Sequence, residues 1–216
     1  MIKAVIFDMD GVIINSEPFF LKAEQKVLSN YGHDVPIDFF YQYQGTTHDY
    51  MWQAMREEFN LKPDTMDLVA EADEIRENLI KENGMDSIPY VLEFMKHLYS
   101  LDVPMAIASS SPRKDIEKTI ETFQLNHMIS YYVSGDEVKH SKPAPDIFLK
   151  ASKELNVEPE NCLVIEDSSN GVKAGHAAGM KVIAYHNPEF PAGDYAVADK
   201  VINTFEQLDF NDLKEM

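Results

Sequence analysis

The chain has 216 residues, 44% of them hydrophobic and 26% charged, and a chain of this size removes about 70% of its unfolded surface from water, enough for a real core. Acidic residues outnumber basic ones 37 to 19, a formal net charge of −18, so long-range repulsion argues against a nucleic-acid partner or an anionic membrane surface. One cysteine excludes an intrachain disulfide and a cysteine-cluster metal site, and the absence of any run of about 18 apolar residues argues against a membrane span.

The opening segment, MIKAVIFDMDG, reaches two aspartates after a few apolar residues. That pattern does not fit a signal peptide, so a cytoplasmic protein is expected. Within it, Lys3–Asp8 (KAVIFD) is a short apolar run rich in β-branched and aromatic residues, the pattern of a strand buried on both faces. The same pattern recurs at Pro104–Ser109, Cys162–Asp167 and Lys181–Tyr185, and more weakly at Tyr131–Ser134 and Lys200–Ile202. Helical periodicity fills the gaps, at Tyr90–Leu101, Arg113–Phe123, Pro145–Leu155 and Gly171–Ala178, with a short closing helix within Leu208–Met216. Strands alternating with helices predict an α/β fold built on a doubly wound parallel sheet.

One stretch breaks the alternation. Phe19–Asn30, Ile37–Gln44, Asp49–Phe59 and Met66–Lys81 all read as helix, with Asn60, Pro63 and Asp64 marking a turn before the last. An all-helical insertion directly after the first strand is expected to be a separate domain over residues 16–85. The α/β core then comprises residues 1–15 and 86–216.

In an open parallel sheet, ligands bind beyond the carboxyl ends of the strands. There the sequence places Asp8 and Asp10 before Gly11, then Ser109 before Ser110 and Ser111, and finally Glu166 and Asp167. Lys142 stands before the helix at Pro145. Crowded carboxylates repel one another unless a cation neutralises them. With oxygen donors and neither a Cys cluster nor a paired-His spacing, the cation that fits is Mg²⁺. The lysine, the Ser109 hydroxyl and the N–H groups of Ser110 and Ser111, read as opening a helix, suit an anion. The four endings together describe a phosphoryl site, in which a carboxylate can act as nucleophile and a second as acid and base.

The segments that carry this chemistry, DMDGVI at Asp8–Ile13, IASSS at Ile107–Ser111, SKPAPDIF at Ser141–Phe148 and VIEDSSNGVKAG at Val164–Gly175, resemble the four motifs of the haloacid dehalogenase (HAD) superfamily. More narrowly they resemble its β-phosphoglucomutase-like branch of phosphatases and mutases. The resemblance spans essentially the whole chain and implies a Rossmann-like core with a helical cap domain. The activity it implies is Mg²⁺-dependent phosphoryl transfer through an aspartyl-phosphate. It would make Asp8 the nucleophile and a metal ligand. Asp10 would be the general acid and base, with its backbone carbonyl on the metal. Ser109 would bind the phosphoryl oxygens with the backbone of Met9 and Ser110, and Lys142 would bridge the phosphoryl group and Asp8. Asp167 would ligate Mg²⁺, and Glu166 would do so directly or through water.

Asp10 also argues for phosphate esters over halides, because a halide leaving group needs no proton. A phosphonate-cleaving relative would need a cap lysine, but Lys22, Lys26, Lys62 and Lys81 read as solvated helix surface. β-Phosphoglucomutases carry a histidine where this chain has Phe20, and a phosphate-gripping cap arginine where it has His48. Arginine binds phosphate bidentately at any pH, whereas histidine is only partly charged near neutrality. A phosphatase of small phosphorylated metabolites is therefore expected, sugar phosphates among them. Glu17, Gly45, Thr46, Thr47 and His48 are expected on the substrate side of the cap. A phosphosugar mutase and a catalytically silent binding protein are the alternatives. Monomer is the default expectation. The other histidines have no metal spacing, and Cys162 and Trp52 read as core.

Overall fold

In the computed structural model, which describes residues 1–43 and 48–216 (Asp212 by its backbone only), six strands form a single parallel sheet. They are β1 (Ala4–Phe7), β2 (Met105–Ser109), β3 (Ile129–Ser134), β4 (Cys162–Glu166), β5 (Lys181–Tyr185) and β6 (Lys200–Ile202), in the order β3-β2-β1-β4-β5-β6. β1 is central, with Val5 opposite Met105 on one side and Leu163 on the other. After β3 the chain crosses to the far side of β1, so the order reverses beside β1, the place where open α/β sheets bind ligands. β1, β2 and β4 are buried along their whole length, as the continuous apolar runs require.

Residues alternate between the two faces. Ala4, Ile6, Ala106, Ala108, Val164 and Val182 pack with Ile147, Phe148, Val172 and Ala174 of two crossover helices, α6 (Asp146–Glu154) and α7 (Ser169–Ala177). Each fully buried Ile, Val or Phe contributes about 1.5–3 kcal/mol. A Cβ at Gly175 would come within 2.9 Å of Val182, so α7 lies close against β5. On the opposite face Phe7 meets Phe94 of α4 (Val91–Ser100), and Phe94 meets Phe205, at centroid distances of 6.3 and 6.0 Å.

The described residues divide into two compact units, Met1–Asn15 with Ser87–Met216, and Ser16–Asp86. The second is all helical. α1 (Glu17–Asn30) and α2 (His48–Glu58) pack on α3 (Thr65–Asn83) around Leu21, Val27, Trp52, Met55 and Leu68. The Asp64 side chain accepts from the Asp67 N–H at 2.9 Å and starts α3. Asn30 and Tyr31 both donate to Glu71 at 2.8 Å, tying the end of α1 to α3. Among the described residues no helix is long and apolar enough to cross a membrane.

Three local expectations need correction. Residues Ile37–Tyr43 form a 3₁₀ rather than an α-helix. Their consecutive aromatics include Phe39, packed edge-on against Phe40 and Phe59, and this clustering overrides the α-helical pattern. α7 starts at Ser169, two residues before the expected Gly171, because the Ser168 hydroxyl accepts the Gly171 N–H at 3.0 Å and caps it. Ser110 and Ser111 precede α5 (Arg113–Thr122) without opening it, since Pro112 has an extended backbone and occupies the cap position.

Candidate active site

Asp8 follows β1, and its N–H donates to the Ile165 carbonyl of β4 at 2.9 Å, continuing the ladder by one residue. That bond fixes the Asp8 backbone between two buried strands. The chain then turns sharply. The Met9 carbonyl accepts from the N–H groups of Ile13 and Ile14 at 2.8 and 3.0 Å, and Gly11 adopts φ +73°. Gly11 has a second reason to lack a side chain: its Cβ would stand 1.9 Å from an Asp167 carboxylate oxygen. The carboxylate that follows β4 thus lies directly on the turn that follows β1.

Lys142 joins three strands. Its ammonium donates to Asp8 Oδ1 at 2.5 Å, Glu166 Oε1 at 2.7 Å and the Ala108 carbonyl at 3.1 Å. An ammonium has three protons, and all three are used. The side chains of Lys142, Asp8 and Glu166 are each less than a tenth exposed, and the ammonium also lies 4.9 Å from the Phe148 ring centre. Burial lowers the Lys142 pKa, but Asp8 and Glu166 outweigh burial and raise it. Asp8 is pushed up to about 7, chiefly by burial. Lys142 pulls it down, and the Glu166 and Asp10 carboxylates push it up again. One buried cation therefore faces a surplus of carboxylate.

Glu166 accepts from Lys142 at one oxygen and from the N–H and hydroxyl of Ser168 at the other, at 2.8 and 2.9 Å. A Cβ at Gly171 would overlap it at 1.6 Å. Asp10 accepts from the Ser111 hydroxyl at 2.6 Å. Ser109 lies 3.5 Å from the same Asp10 oxygen, and its hydroxyl accepts the Ser111 N–H at 3.0 Å. Ser134, at the end of β3, donates to the Ser111 carbonyl at 2.7 Å and steadies that loop.

The structure thus brings together Asp8, Asp10, Ser109, Lys142, Glu166 and Asp167, with Met9 buried beneath the turn and Ser110 exposed at the rim. In the helical unit, Glu17 begins α1 and His48 begins α2, with the His48 ring 5.2 Å from Phe20. Gly45, Thr46 and Thr47 lie outside the described residues. Sequence reasoning used only the Ser111 N–H, which the Ser109 hydroxyl takes up, and passed over the Ser111 hydroxyl and Ser168. It also passed over Glu24, which is buried in the helical unit, and Arg76, whose guanidinium lies 4.3 Å over Phe20. The run of serines was the only available signal for the first two. Glu24 and Arg76 read as ordinary helix charges.

Among the described residues no three His, Cys, Asp or Glu side chains form a ready-made metal cluster. The arrangement still fits a hard cation that keeps most of its waters, because its donors are all oxygens, negative charge is in surplus, and Gly11 leaves room for the Asp167 carboxylate.

The family model described as haloacid dehalogenase-like hydrolase matches residues 5–185. The chain is 31% identical to a phosphorylated carbohydrates phosphatase of Thermotoga maritima, over 84% of this chain and 83% of that one. It is 30% identical to hexitol phosphatase B of Escherichia coli, over 98% and 96%. The crystal structure of β-phosphoglucomutase from Clostridium difficile superposes with a TM-score of 0.80 at 26% identity, covering 100% of this chain and 96% of that one. The chain belongs to the haloacid dehalogenase-like hydrolases and is a phosphoric monoester hydrolase of that family.

Proposed function

We propose that the protein is a Mg²⁺-dependent phosphatase of phosphorylated carbohydrates that works through an aspartyl-phosphate on Asp8. The observation that carries this reading is Lys142, whose ammonium clamps Asp8 and Glu166 at once, with Asp10 two residues from the attacking carboxylate. Asp8 and Asp167, with the Asp10 backbone carbonyl, would hold Mg²⁺. Both Glu166 oxygens accept from protein donors, so Glu166 would act on the ion through water. When bound, Mg²⁺ would supply positive charge to the phosphoryl oxygens.

The residues then divide the work. Asp8 attacks phosphorus, so that an Asp8 O–P bond forms as the ester P–O bond breaks. Asp10, protonated at this stage, gives its proton to the departing sugar oxygen. Lys142 and Ser109 stabilise charge on the equatorial oxygens, where electrostatic stabilisation has its largest effect. Asp10, now ionised, takes a proton from water as the water attacks the acyl phosphate. That step restores Asp8 and releases inorganic phosphate.

The sugar class rests on the names of the relatives. Hydrolysis rather than mutase transfer rests on Phe20 and His48. Where a mutase carries a histidine and a phosphate-gripping arginine, this chain has two rings in contact at 5.2 Å. The test is phosphate release from a panel of sugar and polyol phosphates, with Mg²⁺ and then with EDTA. Turnover that EDTA abolishes and that Asp8→Asn lacks is the expected result. Interconversion of β-glucose 1-phosphate and glucose 6-phosphate faster than phosphate release would overturn it.

A further inference from the structure

After β5 the chain folds back over the start of α7, and three contacts join the two segments. The Tyr195 hydroxyl donates to the Asp167 carbonyl at 2.6 Å. The Ser169 hydroxyl accepts the Asp194 N–H at 2.7 Å. Lys173, one turn into α7, pairs with the Asp194 carboxylate at 2.9 Å. Gly193 lies at the centre: a Cβ there would stand 2.8 Å from the Tyr195 ring and 2.9 Å from the Ser169 hydroxyl.

Tyr195 is well placed to act as a fixed donor. Its ring packs against the sheet core formed by residues such as Val164, Val182 and Ala184. The Asp167 carbonyl is held by Tyr195, and its carboxylate lies close to the Gly11 turn. Neither the sheet nor α7 supplies that hold; the loop after β5 does.

We propose that Tyr195 is a positioning residue for the divalent-cation site, acting through Asp167. The inference rests on the function proposed above, in which Asp167 holds Mg²⁺. Mg²⁺ demands near-octahedral geometry and gives up water reluctantly. A carboxylate whose backbone drifts by a fraction of an ångström therefore binds it less well. The latch sets cation affinity and leaves the attacking carboxylate, clamped separately by Lys142, unaffected.

Calorimetric titration of the full-length chain with Mg²⁺ and no substrate tests this. Tyr195→Phe keeps the ring and removes only the donor. It is expected to weaken Mg²⁺ binding about tenfold, the loss usual for an outer-shell partner, with the thermal midpoint in EDTA close to that of the unaltered protein. Gly193→Ala, which pushes on both Tyr195 and Ser169, is expected to weaken binding further. Equal Mg²⁺ affinity in Tyr195→Phe and the unaltered protein overturns the inference while leaving the proposed function standing. No Mg²⁺ binding by the unaltered protein overturns both. If Tyr195→Phe does not fold, Ser169→Ala removes a different latch contact and is read the same way: weakened binding supports the inference and unchanged binding overturns it.

Discussion

Lys142 and Asp10 are both polar residues at the sheet rim, and their surroundings separate them. Lys142 is buried with every proton committed, so its work is electrostatic and its position fixed. Asp10 is partly open, and the Ser111 hydroxyl holds one of its oxygens. In the proposed cycle Asp10 trades protons with a leaving group and then with water, and that work needs such access. Asp10→Ala is expected to lower phosphate release by about 10²–10⁴, the usual worth of a general acid–base, while Mg²⁺ affinity by calorimetry changes little. Loss of Mg²⁺ binding in that variant would contradict the role of its side chain. The rim acids were legible in the sequence because a buried strand has few ways to end: an apolar run that stops at Asp8 or Glu166 must deliver that carboxylate to the sheet edge. Ser111 and Ser168 were not. A serine beside other serines shows no periodicity, and its part depends on which neighbour its hydroxyl meets after folding.

At the scale of elements, two features depend on close approach. Gly171 lets the first turn of α7 pass over the Glu166 carboxylate. Gly171→Ala is therefore expected to destabilise the protein by about 1–3 kcal/mol, the cost of overfilling a packed site, read as a lowered urea midpoint. Glu24 is the second. Burial between α1 and its neighbours, with the Glu17 charge adding and Arg76 opposing, pushes its carboxyl from 4.5 up to about 8. Between those values the unfolded chain has released a proton that the folded chain keeps. Stability therefore falls as pH rises through that window, by at most about 1.4 kcal/mol per pH unit. Glu24→Gln is expected to flatten the dependence of unfolding midpoint on pH between 5 and 9 and to be the more stable form at the alkaline end. Parallel curves for the two proteins would contradict this. The strands were readable as short continuous apolar runs, and most helices by an apolar period of 3.6. The 3₁₀ segment at Ile37–Tyr43 and the burial of Glu24 were not, because both depend on packing between helices distant in sequence.

For the molecule as a whole, the surplus of 18 negative charges opposes the approach of a dianionic ester, while Lys142 and, in the function proposed above, a bound Mg²⁺ would attract it at the site. Salt shortens the reach of the repulsion, from about 30 Å at 0.01 M to about 8 Å at 0.15 M. At saturating Mg²⁺, the KM for a sugar phosphate is expected to fall as NaCl is raised across that range. A rising KM would mean that local attraction governs the encounter. The last consequence concerns the doorway to the helical unit. Ile14 bridges Ser87 antiparallel, and the Ile88 N–H donates to the Ile13 carbonyl at 2.9 Å. The outgoing and returning chains are thus stapled side by side at the threshold, so everything between them hangs from a hairpin neck. Because both contacts lie within the α/β unit itself, insertions or deletions between residues 16 and 86 are expected to leave the strands in register, which circular dichroism of such variants would check.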